Sequence, residues 1–323
     1  MKLRMTKKTA DLAIALVSAG WGSSYLLMKT GLDGMEPFTL IAWRFLLAFA
    51  LTAPLFWRRL RGTNLKTLGE SAALGFVMFV MLSLLIKGLE TTTASSAGFL
   101  TSAMVVFVPM IQIVLTRRAP SIATAAGILL TIGGIALLTL QHSLTFESGS
   151  AMCLAGAFIY AIHIIMTNRF SKRSDGLTLG VLQIGFIGLF GLIFGFGFET
   201  PSMPQGTQGW VSVIGLAVIC SAFGYIVQTI AQKHTTPERI GVLFSLEPVF
   251  AALFGFLFLG EMLGAQGYVG AVLILAGVLV SGYKKTSKFS IPKPPRIPGR
   301  SRRAVSRVRV QEAELGSGTG SGA

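Results

Sequence analysis

Few side chains in this sequence could do chemistry, and most of them stand inside long apolar runs. Glu247 sits near the start of SLEPVFAALFGFLFLGE (245–261), with Pro248 directly behind it. Arg44 lies in FTLIAWRFLLAFALT (38–52), and His163 lies in AFIYAIHIIMTN (157–168). An acid and a base in such surroundings can neutralise one another, or the acid can face a cavity and bind a substrate amine or a coupling proton. Aromatic and amide groups able to complete a binding site stand in similar runs: Trp21, Tyr25, Trp43, Tyr160, Gln183, Tyr225 and Gln228. The recurrent catalytic patterns are missing: there is no His-Glu-x-x-His, no pair of aspartates within the runs and no Walker loop. The sequence therefore predicts neither an enzyme nor a resident cofactor or metal.

Which role these groups play depends on the solvent around the runs. Of 323 residues, 52% are hydrophobic and 13% are charged, and the mean hydropathy is +0.68. A soluble domain carries about 25% charged residues on its surface. Here the apolar residues gather into ten blocks: 11–31, 38–57, 69–88, 93–115, 121–140, 150–169, 177–197, 209–231, 239–259 and 264–283. Each is near the ~20 residues that carry a helix across roughly 30 Å of hydrocarbon. None alternates apolar with polar as a barrel strand does. The expected fold class is an all-α integral membrane bundle of ten transmembrane helices. The first block has the basic start and small residues (Ser18, Ala19) of a secretory signal, but it stays apolar to Met28 and reads as a retained span.

The net charge of +15 records orientation rather than a nucleic-acid partner. Apart from Lys29, Arg44 and Lys87, every lysine and arginine falls in a terminal tail or in the connection after block two, four, six or eight. The other connections (LDGMEP, LETTTA, QHSLTFESGS, FETPSMPQGTQG and GEMLGAQ) contain none. This alternation is the positive-inside pattern and places both termini in the cytoplasm. Cys153 and Cys220 lie in separate apolar blocks and read as packing residues. The segment from Lys284 is basic and proline-interrupted, which predicts a disordered cytoplasmic tail drawn to anionic lipid, and the closing GSGTGSGA reads as a linker.

The chain also repeats itself. Sliding it by 143 positions sets Gly98 on Gly241, Leu100 on Leu243, Ser102 on Ser245, Phe107 on Phe250, Gly127 on Gly270 and Gly134 on Gly277. Near an offset of 139, Thr39 meets Thr178, Leu40 meets Leu179 and Arg44 meets Gln183. Five helices per half is an odd number, so the second copy would enter the membrane from the opposite side. Inverted repeats of this kind let one midplane cavity open to either face in turn. Gly180, Gly185, Gly188, Gly191, Gly195 and Gly197 crowd block seven, where they allow close backbone approach, for static packing or for rocking.

At WGSSYLLMKTGL (21–32), AWRFLLA (42–48) and SAFGYIVQTIAQKHTTPERIGVLFSLEPVFAALFGFLFLGE (221–261) the chain resembles the drug/metabolite transporter superfamily, specifically its EamA-like permeases. The resemblance covers about 11–283; in the first half Met104 stands where the second has Glu247. It implies two EamA-like repeats, 11–140 and 149–283, followed by the tail 284–323. It further implies a multi-pass protein of the cytoplasmic membrane that exports amino acids or related metabolites and drugs. The partners expected are a small-molecule substrate, a proton or other coupling ion, and the lipid bilayer. A sugar-phosphate or nucleotide-sugar exchanger is the alternative within transport, and a membrane scaffold the alternative outside it.

Charges inside a bilayer must face a cavity, a partner or an interface. Lys87, with Glu90 close behind, reads as an interfacial anchor, and Lys29 either snorkels or lines an outer vestibule. Arg44 and Glu247 both approach the midplane. Glu247 therefore completes a structural pair with Arg44, supports the helical turn that Pro248 disturbs, or faces a cavity and binds a substrate amine or proton. His163 is a proton relay or a neutral contact between helices. The candidate substrate-binding set is Tyr25, Lys29, Trp43, Arg44, Tyr160, His163, Gln183, Tyr225, Gln228 and Glu247.

Overall fold

A computed structural model describes residues 7–117, 122–139, 148–234, 240, 243–244 and 246–282. The segment after Gly282, expected as a basic tail, lies outside the described residues. Three long helices come first: α1 (Lys7–Leu32), α2 (Pro37–Leu60) and α3 (Leu65–Leu89). The fourth apolar block is two helices, α4 (Ala94–Thr101) and α5 (Met104–Thr116), and is followed by α6 (Ile122–Thr139). Then come α7 (Ser148–Ser171), α8 (Gly176–Phe198) and α9 (Gly206–Gly215), which runs through a π-helical stretch, Leu216–Phe223, into α10 (Gly224–Gln232). α11 (Leu246–Leu259) and α12 (Ala265–Gly282) complete the bundle, with no strand among the described residues.

Local sequence sets several helix starts. Pro37 opens α2, where its missing N–H costs nothing. The side chains of Asn64, Thr93 and Asp175 accept from the backbone N–H three residues on, at 2.8, 3.0 and 3.1 Å, and so cap α3, α4 and α8. Among the described residues, seven stretches are long and apolar enough to cross a membrane: 8–32, 37–60, 65–89, 94–115, 148–171, 176–198 and 206–232. The blocks expected at 121–140, 239–259 and 264–283 appear as shorter apolar helices, Ala125–Leu137, Leu246–Leu259 and Ala265–Val280. Leu16, Phe76, Ile132, Ile193, Phe256 and Leu279 are exposed on the perimeter, as lipid contact requires.

The two ends of the bundle differ in charge. One end, here the basic face, carries Arg58, Arg59, Lys66, Arg173 and Lys233, and there Arg59 pairs with Asp175 at 3.6 Å. The opposite, acidic face carries Asp33, Glu36, Glu90, Glu199 and Glu261. Lys87 and Glu90 are exposed at that end, as an interfacial anchor would be.

Helix α1 packs against α10 and α11, α3 against α7 and α8, α2 against α8, and α6 against α12. Small residues permit the closest of these approaches. A Cβ added at Gly188 would stand 2.8 Å from the Leu46 backbone nitrogen, and one at Gly191 would stand 2.8 Å from that of Ala42. Gly197 has nothing within 4 Å. Overpacking a filled interface costs about 1–3 kcal/mol, so Gly188→Leu should lower the melting temperature in detergent while Gly197→Ala leaves it unchanged. Equal melting of the two variants would refute the contact. The α6–α12 contact is crossed: a Cβ at Gly134 would lie 2.6 Å from the Gly270 carbonyl oxygen, and one at Gly277 2.6 Å from that of Gly127.

Candidate functional site

The π-helical stretch is where the site is built. Such widening takes carbonyls off the regular ladder, and it recurs at functional sites. Here the Cys220 carbonyl accepts the indole N–H of Trp21 at 2.7 Å. One residue on, Ser221 Oγ accepts Arg44 Nε at 2.7 Å. Gly224, one turn further, leaves room for the Trp21 ring. Three elements (α1, α2 and the π stretch) thus fix an indole and a guanidinium in one place.

Arg44 is only 2% exposed. Its Nη1 lies 3.4 Å from Met28 Sδ, and its guanidinium carbon lies 4.8 Å from the centre of the Phe45 ring. Both neighbours are soft and polarizable, and neither neutralises the positive charge. Glu247 is 6% exposed and lies in the first turn of α11, where the helix dipole favours a carboxylate. Its Oε1 accepts the Tyr25 hydroxyl at 2.8 Å, and its Oε2 has no hydrogen-bond partner among the described residues. The direct Arg44–Glu247 pair considered from the sequence does not form, because each charge takes a neutral partner of its own. Both nevertheless line one cavity of about 20 Å3, together with Trp21, Tyr25, Tyr160 and Tyr225. That is room for roughly one water, so the chamber is tight around its charges.

Its two ends are lined by different chemistry. Toward the acidic face the walls are Met28, Met81, Leu82 and Leu85. Toward the basic face the Trp21 ring packs on Tyr225 and Phe244, with centroids 5.2 and 5.1 Å away, and Tyr160 stacks on Phe244 at 6.2 Å. The acidic face is further tied by two carboxylates. Glu261 accepts the backbone N–H groups of Ala94 and Ser95 at 2.9 and 3.0 Å and the Ser95 hydroxyl at 2.9 Å. Glu199 accepts the N–H groups of Phe38 and Thr39 at 2.7 and 2.8 Å.

Tyr25, Arg44, Tyr160, Tyr225 and Glu247 from the sequence-derived set therefore meet at one chamber. The other members lie elsewhere. Lys29 donates to the Thr92 carbonyl at 2.9 Å and stands 3.6 Å from Glu261, at the acidic face. Trp43 donates to the Ser202 carbonyl at 3.0 Å and lines an apolar crevice of about 460 Å3 between α2 and α8. That crevice has no ionisable lining residue. His163 Nε2 lies 3.3 Å from Gln183 Oε1, and Gln183 Nε2 donates to Thr229 Oγ1 at 3.1 Å, so the two residues brace α7, α8 and α10. Gln228 is fully buried on α10, toward the basic face. Sequence reasoning assigned no role to Ser221 or to the bracing function of Glu261. A hydroxyl inside an apolar run is commonplace, and only the π stretch turns this one toward Arg44. Cys153 and Cys220 are free and buried.

Comparisons with known proteins agree with this architecture. The sequence model of the EamA-like transporter family matches residues 8–140 and, separately, 147–283. An uncharacterized transporter of Archaeoglobus fulgidus is 30% identical over 271 residues, spanning 84% of this chain and 85% of the relative. A probable amino-acid metabolite efflux pump of Salmonella typhimurium is 28% identical over 308 residues, 88% of this chain and 100% of the pump. A crystal structure at 19% identity shares the fold, with a TM-score of 0.65 over 84% of this chain and 97% of the other. The family and these named relatives are transporters rather than enzymes. With both halves of its membrane part matched, the chain belongs to the EamA-like transporter family of the drug/metabolite transporter superfamily, as a multi-pass membrane protein acting on a small-molecule substrate.

Proposed function

We propose that this chain is a secondary-active exporter of amino acids or closely related metabolites, working by alternating access around the Arg44–Glu247 chamber. The observation that carries the reading is two opposite charges on one small chamber that do not bond directly to each other. An amino acid presents a carboxylate to Arg44 and an ammonium to Glu247, and the tyrosines give its side chain an aromatic wall. The relative named as a probable amino-acid metabolite efflux pump supports the same class. A phosphorylated substrate fits less well, because Arg44 is the chamber's one cationic lining residue and Lys29 is engaged by Glu261.

The architecture behind this reading is ten spans in two inverted five-helix repeats, 11–140 and 149–283, with both termini and the tail 284–323 in the cytoplasm. The crossed glycine contacts support a twofold relation: the repeat sets Gly127 on Gly270 and Gly134 on Gly277, and exchanging the copies turns one contact into the other. The helix starts agree too, since α5 begins at Met104 and α11 at Leu246, one position apart after a slide of 143. In the inner membrane such a transporter draws on an ion gradient or on exchange, with the free Glu247 oxygen as the place for a coupling proton.

The test is a comparison of metabolites released by cells with and without the protein, followed by liposome flux of the enriched compounds. Amino acids or their derivatives should be enriched outside expressing cells and should move in liposomes. Arg44→Leu should raise the half-saturating concentration for anionic and zwitterionic substrates by about tenfold or more, the worth of one charge-assisted bond. Purified protein that moves none of them under any gradient refutes the proposal.

A further inference from the structure

Beyond the aromatic plug the bundle does not become a dry core. Gln228 and Gln232 stand one turn apart on α10, both 0% exposed, and all four polar atoms of their amides lack a hydrogen-bond partner among the described residues. They continue the face of α10 that begins at Gly224, which lies against Trp21. His163 Nδ1, in the same half of the bundle, is also buried without a partner among the described residues. At the far end the Gln232 carbonyl accepts Asn168 Nδ2 at 3.0 Å, and Asn168 Oδ1 accepts Lys172 Nζ at 2.8 Å, which brings the line to the basic face. On the acidic side of the chamber the walls are instead methionines and leucines.

A buried amide with no protein partner is a cost to the folded state unless water or a solute reaches it. Two on one face, one turn apart and running away from a charged chamber, make sense in a second conformation in which they meet water and solute. We propose that the Gln228–Gln232 face of α10 is the half of the substrate path between the chamber and the basic face, gated by the Trp21–Tyr160–Tyr225–Phe244 plug. This deepens the transport reading above and rests on it. The amides are neutral and carry both donors and acceptors, so they can pass an ammonium and a carboxylate alike without trapping either. The class of solute they fit is a small zwitterion or a neutral polar molecule.

Two measurements test the path. Gln228→Cys and Gln232→Cys, each in a chain also carrying Cys153→Ala and Cys220→Ala, are exposed to a charged methanethiosulfonate reagent in sealed vesicles of known orientation. Both should be modified from the basic face and protected from the acidic face, and adding the amino acid found by export profiling should change the rate. Absence of modification from the basic face in folded protein overturns the path. This readout needs no transport, so it stands apart from failure of the flux assay, which would remove the transport reading itself. The second variant is Gln228→Leu with Gln232→Leu in the full chain. Removing four unpartnered polar atoms should raise the melting temperature by roughly 3 °C while flux falls by about tenfold or more. A lower melting temperature, or flux equal to the unsubstituted chain, overturns the proposal.

Discussion

Glu247→Gln should reduce export to the level of cells lacking the protein while the folded chain still accumulates. The substitution keeps the shape and can keep the Tyr25 bond, because an amide oxygen accepts as a carboxylate does. It removes the charge. If Glu247 were the counter-ion of Arg44, losing it would strand a buried cation at a cost of about 3–5 kcal/mol and deplete folded protein. Arg44 instead rests on Ser221, Met28 and Phe45, so that penalty is not expected. The check is paired: size-exclusion profile and melting temperature in detergent for the fold, and flux of the identified substrate for the chemistry. Full flux from Glu247→Gln removes the acid from the mechanism; loss of folded protein makes it structural. Exchanging the charges, Arg44→Glu with Glu247→Arg, should fail to restore export, since the hydroxyls facing each position suit the present arrangement.

Glu261→Ala should be the most destabilising of the substitutions at the acidic face. Its carboxylate accepts three hydrogen bonds from Ala94 and Ser95 and stands beside Lys29, so removal orphans the first N–H groups of α4 and takes the carboxylate away from Lys29. With bonds to charged groups worth about 1.5–3 kcal/mol each, and allowance for water reaching the site, the loss should be about 2–3 kcal/mol. The melting temperature should drop by roughly 5 °C. The geometry explains why Gly-Glu closes α11. Gly260 takes φ 63°, which turns the chain back, and Gly255 leaves the carboxylate room: a Cβ there would stand 2.7 Å from Glu261 Oε2. Glu199→Ala at the start of α2 should behave in the same way, and Ser95→Ala more mildly. Unchanged melting of Glu261→Ala would show that the brace carries no weight.

The two substitutions separate two kinds of carboxylate that the sequence presents alike. Glu247 and Glu261 bracket the same apolar run, and periodicity gives no reason to assign one to a chamber and the other to a helix start. The difference lies in what faces them. Tyr25 comes from α1, and the Ala94 and Ser95 N–H groups come from the start of α4, far away in the chain. The same holds for the cations: Arg44 and Lys29 both read as charges within apolar blocks, yet one lines the chamber and the other holds Glu261.

The membrane class, the sign of each face and the scarcity of ionisable groups were readable because each is one-dimensional: a run length, an alternation or a count. Which groups would share a chamber was not readable. The π stretch aims Ser221 at Arg44, the glycine faces of α8 set its distance from α2, and the unpaired amides of α10 point inward only once α1 and α7 are packed beside it. These are outcomes of helix rotation and register, and an apolar helix in lipid has little periodic hydrophobic signal to show which face turns inward.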